Sequence, residues 1–168
     1  MTNIVLVGIM GSGKTTTARV LSKKLNMKWV DTDNQIESQS GKKISDLFEI
    51  SEDYFRTWEH TICKSLKSIS NSVISTGGGI IINEKNRSII SSLGTVIYLK
   101  ISPESALKRL KNDTKRPLLK KNNKLEILKN LLDERDPLYN EVSSIQLIVD
   151  ELTIDDTINQ ILKQVRAK

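Results

Sequence analysis

Glycines at positions 8, 11 and 13, followed by Lys14 and Thr15, form a spacing that can hold phosphate. The stretch Gly8-Ile9-Met10-Gly11-Ser12-Gly13-Lys14-Thr15 fits the pattern Gly-x-x-x-x-Gly-Lys-Ser/Thr. Its glycines let backbone N–H groups converge on an anion with no Cβ in the way. The apolar run Ile4-Val5-Leu6-Val7 precedes it and a helical pattern follows, so the loop opens a helix whose N-terminus also favours negative charge. Lys14 is long enough to reach the terminal phosphates of a nucleotide, and the Thr15 hydroxyl suits Mg²⁺. A chance glycine-rich turn would not come with this strand and helix around it.

Other residue groups could do chemistry beside a bound nucleotide. Asp31-Thr32-Asp33 lies at the end of the second apolar run, where an acid can sit near a metal or an acceptor hydroxyl. In an extended segment the two carboxylates would share one side of the backbone. Capping the following helix is the alternative use of such acids. Arg56 stands in an apolar helical stretch with Glu59 three residues on, either as an exposed ion pair or as a buried cation that receives an anion. Gly77-Gly78-Gly79 removes three side chains in succession, which close backbone approach to a ligand would explain and an ordinary turn would not require. His60 and Cys63, each the only one of its kind, read as packing residues, and Lys120-Lys121 as a solvated run.

These groups must be positioned by alternating strands and helices. Strands are expected at Asn3–Val7, Lys28–Val30, Val73–Thr76, Thr95–Lys100 and Ile145–Val149. Helices are expected at Lys14–Leu25, from Asn34 to Gly41, over Ile44–Ser70, at Glu84–Ser92, from Ser102-Pro103 to about Asn112, over Lys124–Arg135 and from Thr153 onward. Thr153 and Asp156 form a capping-box-like pair. The polar, basic stretch Asp113–Lys124 has no apolar period and reads as a mobile loop. The fold class expected is α/β, three layers with a central five-stranded parallel sheet and helices on both faces. In such folds ligands bind at the carboxyl ends of the strands, where the phosphate loop, Asp31, Asp33 and the glycine triplet all fall.

The 168 residues suit one domain, residues 1–168, with no repeat or linker. No apolar run approaches the ~20 residues of a membrane span, and no cleavable leader is expected before the first strand. A single cysteine excludes an intrachain disulfide and fits a cytoplasmic setting. The net charge of +6 admits nucleic acid or small polyanions as partners. With aromatics at only 4%, stacking platforms for single strands are few, and the phosphate loop favours the small anion.

Taken together, the chain resembles the shikimate kinases. The resemblance rests on Gly8–Thr15, Asp31-Thr32-Asp33, Phe55-Arg56-x-x-Glu59, Gly77-Gly78-Gly79, Arg116-Pro117-Leu118-Leu119 and Arg135-x-Pro137-Leu138-Tyr139, in the family's order and close to its spacing. It covers essentially the whole chain. It implies a nucleoside-monophosphate-kinase-like fold and transfer of the γ-phosphoryl of ATP to the 3-hydroxyl of shikimate, in aromatic amino-acid synthesis. Gly11, Ser12, Gly13, Lys14, Thr15 and Thr16 would hold the nucleotide, with Arg109 against adenine. Thr15 would ligate Mg²⁺ and Asp31 would stand in its outer sphere. Asp33 would bind shikimate hydroxyls as the candidate base. Arg56 and Arg135, with backbone at Gly78 and Gly79, would bind the carboxylate. Arg116, in a lid over about residues 112–124, would approach the phosphates, and the acceptor region would span about residues 32–62. The lid's Lys120-Lys121-Asn122-Asn123-Lys124 run is unusual for the family. The protein is expected to be a monomer that binds neither nucleic acid nor membrane.

Two rivals remain on sequence alone. A gluconate or nucleoside-monophosphate kinase would share the architecture. The other rival is a nucleotide-dependent switch or a nucleic-acid-binding module; a GTPase switch would carry Asp-x-x-Gly and Asn-Lys-x-Asp, and neither occurs.

Overall fold

The computed structural model describes residues 2–110 and 123–166. Its sheet has five parallel strands in the order β2-β3-β1-β4-β5. These are β1 (Asn3–Val7), β2 (Lys28–Asp31), β3 (Ser72–Ser75), β4 (Gly94–Lys100) and β5 (Ile145–Ile148). All five residues of β1 are buried, as a central strand covered on both faces must be. The helices are α1 (Lys14–Leu25), α2 (Thr32–Ser40), α3 (Ile44–Ile50), α4 (Glu52–Ser65), α5 (Glu84–Ser92), α6 (Pro103–Arg109), α7 (Lys124–Val142) and α8 (Ile154–Arg166).

Local chemistry sets the boundaries. Gly13 begins α1 in a left-handed conformation (φ 90°), which a residue with a Cβ adopts only under strain. Ser102 caps α6, accepting from the Ser105 N–H, and Pro103 follows at the first helical position. Thr153 and Asp156 form a reciprocal capping box at α8: the Asp156 N–H donates to Thr153 Oγ1 (3.1 Å) and the Thr153 N–H to Asp156 Oδ2 (3.2 Å).

Three expectations need correction. Asp31-Thr32-Asp33 is not extended, because α2 starts at Thr32 rather than Asn34, with Asp31 as its N-cap. Ile44–Ser70 is not one helix: Ser51 is extended (φ −174°, ψ 157°), ends α3 and caps α4, accepting from the Tyr54 N–H, and a 3₁₀ turn over Leu66–Ser68 follows α4. The helix from Lys124 does not stop at Arg135 but runs through Pro137 to Val142. Proline there forgoes one helical hydrogen bond, and burial of Tyr139 and Val142 in the core offsets the loss. The expected mobile loop and Lys120-Lys121 lie outside the described residues, apart from Asn123 and Lys124 at the start of α7.

Apolar packing falls into two clusters. The larger sandwiches the sheet and includes Leu6, Ile74, Ile97, Tyr98 and Tyr139. The smaller joins α2, α3 and α4 through Ile36, Leu47, Phe55 and Ile62, with Phe48 stacked on Phe55 at 4.3 Å. Cys63, one residue beyond Ile62, belongs to the larger cluster, so α4 is shared between the two.

Candidate active site

At the carboxyl ends of the strands lies one open cavity of about 450 Å³. Its walls include Gly11, Gly13, Lys14, Thr15 and Thr16 of the phosphate loop, Asp33, Thr76 and Gly78 on one side, and Arg109 with residues 152–154 on the other. The cavity therefore has a phosphate-binding floor between two differently built ends.

The floor follows from the loop's folding. Lys14 is only 7% exposed, and its Nζ donates to the Ile9 carbonyl oxygen at 2.9 Å. That contact curls the ammonium over the backbone amides, where a phosphate tail would lie. Gly11 lets the loop back onto α6, where a Cβ would come within 3.0 Å of the Ala106 carbonyl oxygen. The same helix carries Arg109, whose Nη2 donates to the carbonyl oxygens of Val149, Asp150 and Leu152. Arg109 thus ties the segment before α8 to the nucleotide end of the cavity.

The Asp31-Thr32-Asp33 corner divides its three side chains among three tasks. Asp31 caps α2, with Oδ1 accepting from the Asn34 N–H at 3.1 Å, and its Oδ2 accepts from the Thr15 hydroxyl, also at 3.1 Å. Capping and facing the loop hydroxyl are therefore not alternatives; one carboxylate does both. Thr32 Oγ1 accepts from the Gly77 N–H at 2.8 Å and latches the glycine triplet to α2. Asp33 lines the cavity beside Gly77, where a Cβ would stand 2.5 Å from its Oδ1.

The glycine triplet permits a close approach at two of its members. A Cβ on Gly77 would strike Asp33, and one on Gly79 would overlap the Arg56 guanidinium. At Gly78 the nearest atom would be 3.5 Å away, an ordinary contact, and its carbonyl oxygen accepts from the Tyr139 hydroxyl at 2.6 Å.

Arg56 is partly buried and pairs with two acids. Its Nη1 lies 2.5 Å from Glu59 Oε2, and its Nη2 lies 2.8 Å from Glu52 Oε1. Burial works against the charge on Arg56, but attraction and hydrogen bonding from Glu59, then from Glu52, outweigh it and raise its pKa. Glu59 is only 2% exposed, and burial pushes its pKa up to about 7 against the pull of Arg56. Asp33 adds to that rise, and Arg135 opposes it, so three neighbouring charges act on Glu59.

Arg135 is 7% exposed, and its Nε has no hydrogen-bond partner among the described residues. A buried guanidinium edge of this kind is suited to a planar anion. Its helix is anchored one residue on, where Asp136 accepts from the Tyr98 hydroxyl (2.8 Å) and pairs with Lys100 (2.9 Å). Arg116 lies outside the described residues. His60 and Cys63 have packing roles: His60 Nδ1 is 2.7 Å from Asn86 Oδ1, and Cys63 is fully buried.

The sequence reading did not pick out Ser75 or Trp29 as members of the site's framework, and it named Thr32 and Tyr139 only as parts of motifs, with no role. The parallel register that sets Asp31 opposite Ser75 is the signal that links two of these to the loop.

Comparison with known proteins shows the family. The family model described as shikimate kinase matches residues 10–166. A shikimate kinase of Legionella pneumophila (strain Corby) is 41% identical over 162 residues, covering 96% of this chain and 93% of the relative. A shikimate kinase of Sulfurihydrogenibium sp. is 40% identical and spans 100% of both chains. Among solved structures, shikimate kinase from Acinetobacter baumannii in complex with shikimate superposes with a TM-score of 0.95 at 38% identity, covering 99% of this chain and 94% of that one. The fold, the phosphate-loop cavity and these full-length likenesses together make this chain a member of the shikimate kinase family, ATP-dependent kinases acting on shikimate.

Proposed function

We propose that the protein transfers the γ-phosphoryl group of ATP to the 3-hydroxyl of shikimate, giving shikimate 3-phosphate and ADP. The observation that carries this reading is the single cavity in which Lys14 and Thr15 share a space with Asp33 and Gly78. Donor and acceptor need such a common space, because phosphoryl transfer depends on in-line positioning and charge neutralisation.

The amides of Gly11, Ser12 and Gly13 cradle the phosphates, helped by Thr16 at the start of α1. Lys14 follows the charge that moves to the transferred group. Arg109 supports the adenine end. Arg56 and Arg135 grip the acceptor's carboxylate, with the backbone of Gly78 and Gly79 bringing it close. Asp33 accepts a hydrogen bond from the hydroxyl that attacks and orients it towards the γ-phosphorus. Arg116 is assigned to the phosphates, and a lid to about residues 112–124, by sequence position.

The residues present fit Mg²⁺. The Thr15 hydroxyl and the Asp31 carboxylate are hard oxygen groups 3.1 Å apart beside the phosphate floor. Among the described residues no group of three His, Cys, Asp or Glu could hold a metal, which agrees with an ion that takes one or two protein oxygens and otherwise waters and phosphates. Bound there, Mg²⁺ would offset the charge of the β- and γ-phosphates. Thr15 would offer its oxygen to the ion while its hydroxyl keeps donating to Asp31, and Asp31 would accept from a metal-bound water.

We also infer a monomer that works in the cytoplasm and binds neither nucleic acid nor membrane. The lone buried Cys63 fits a reducing compartment, and among the described residues no helix is long and apolar enough to cross a membrane.

A coupled ADP-release assay with shikimate and with gluconate tests the reading. Shikimate-dependent turnover is the expected result. Faster turnover of gluconate, or salt-sensitive oligonucleotide binding without phosphotransfer, would replace it with one of the rivals.

A further inference from the structure

Asp31 is held by more than its two contacts already described. Its Oδ2 also accepts from the Ser75 hydroxyl at 2.7 Å. Ser75 is fully buried on β3, directly opposite Asp31 in the parallel register. The Ser75 oxygen in turn accepts from the indole Nε1–H of Trp29 at 3.1 Å. Trp29 lies two residues before Asp31 on the edge strand β2, so both side chains emerge on the same face of the sheet. It is 36% exposed, a large aromatic residue left at the surface with its one polar atom turned inward.

A serine hydroxyl has a single hydrogen. Two acceptors compete for that of Ser75: Asp31 Oδ2 at 2.7 Å and the Val30 carbonyl oxygen at 3.4 Å. The shorter, charge-assisted bond wins. Donation by Trp29 occupies a lone pair on the same oxygen and fixes how the hydroxyl can rotate. The chain of donors therefore runs from Trp29 through Ser75 to Asp31 Oδ2, the oxygen that also receives the Thr15 hydroxyl.

We propose that Trp29 and Ser75 are positioning residues for the metal side of the nucleotide site, a relay that locks the Asp31 carboxylate so that Oδ2 stays turned to Thr15. Neither side chain lines the nucleotide cavity. Such outer partners fix the orientation and basicity of the groups that face a metal. This inference rests on the reading that Thr15 and Asp31 serve Mg²⁺.

The test uses the full-length protein and the variants S75A, W29F and D31N. Binding of Mn²⁺ to the protein–ADP complex is followed by electron paramagnetic resonance, and the Mg²⁺ dependence of turnover is measured at saturating ATP and shikimate. S75A should weaken Mn²⁺ binding on the order of tenfold, in line with other outer-shell losses. W29F should weaken it about threefold, since it keeps an aromatic ring and removes the N–H. KM for shikimate should stay at the parent value in both. If S75A misfolds, as a thermal melt would reveal, W29F carries the test alone. Parent-like Mn²⁺ binding in the folded relay variants, with D31N weakened, overturns the relay but leaves the metal reading standing. Parent-like binding in D31N overturns the metal reading, and the relay with it.

Discussion

Nη1 of Arg56 lies 2.5 Å from Oε2 of Glu59, so one arm of the guanidinium is fixed inside the protein before any acceptor arrives. Its other edge, Nε and Nη2, is held by Glu52, whose side chain is 64% exposed. An exposed pair of that kind is worth little and exchanges readily for another carboxylate. The buried acid orients the cation, and in the proposed function the acceptor's carboxylate would take the place of the exposed one.

Glu59 makes stability depend on pH in a definite direction. Its pKa in the folded protein is about 7 against an ordinary 4.5. Between those values the unfolded chain releases the proton that the folded chain keeps, so stability falls as pH rises through pH 4.5–7 and levels off above. E59Q should remove that slope. Urea melts at pH 5 and pH 8 should show the parent losing about 1–3 kcal/mol more than E59Q between the two. Parallel pH profiles would contradict the assignment.

Removing the ammonium of Lys14 takes away charge stabilisation that strengthens as the phosphoryl group moves. K14A should lower kcat by about 10²–10³-fold or more. Single-turnover kinetics would check this, and a kcat near that of the parent would remove Lys14 from the chemistry.

In the proposed function the buried edge of Arg135 receives the acceptor's carboxylate. R135A should raise KM for shikimate about 10–100-fold, the worth of a hydrogen bond to a charged group, while KM for ATP moves little. Equal effects on both constants would place Arg135 elsewhere.

Two glycines should fail in opposite ways. A Cβ at Gly79 would overlap the Arg56 guanidinium and displace it from Glu59, so G79A should raise KM for shikimate roughly tenfold and lower Tm by only a few degrees, the freed guanidinium turning to the exposed Glu52. At Gly94, φ is +153° and a Cβ would run into the Asn3 backbone. G94A should cost about 3 kcal/mol and lower Tm on the order of 10 °C, with normal KM values in the folded fraction. Calorimetry beside steady-state kinetics separates the two.

Much of this site was legible in the residues because its chemistry is local. The phosphate loop is contiguous, and β1 and α1 have the bounds that the apolar pattern predicts. The Thr153–Asp156 box could be read from two residues three apart. What escaped was set by partners distant in sequence. The Ser75 hydroxyl is an ordinary strand residue until the register puts Asp31, 44 positions away, beside it. The helix expected over Lys124–Arg135 runs on through Pro137, because core contacts of Tyr139 override the local cost of a proline. The break at Ser51 was invisible to apolar periodicity, which continues on both sides of a cap. Arg116 lies outside the described residues, so its place rests on its motif alone.

The separate small cluster of Ile36, Leu47, Phe55 and Ile62 has a dynamic consequence. Helix α3 takes its only fully buried side chain, Leu47, to that cluster and contributes none to the sheet core. Breaking its packing exposes a few side chains, whereas opening β1 requires global unfolding. Amide deuteration should therefore reach α3 well before Leu6 and Val7, and the flank that carries α3 can breathe while β1, beneath the phosphate loop, stays paired.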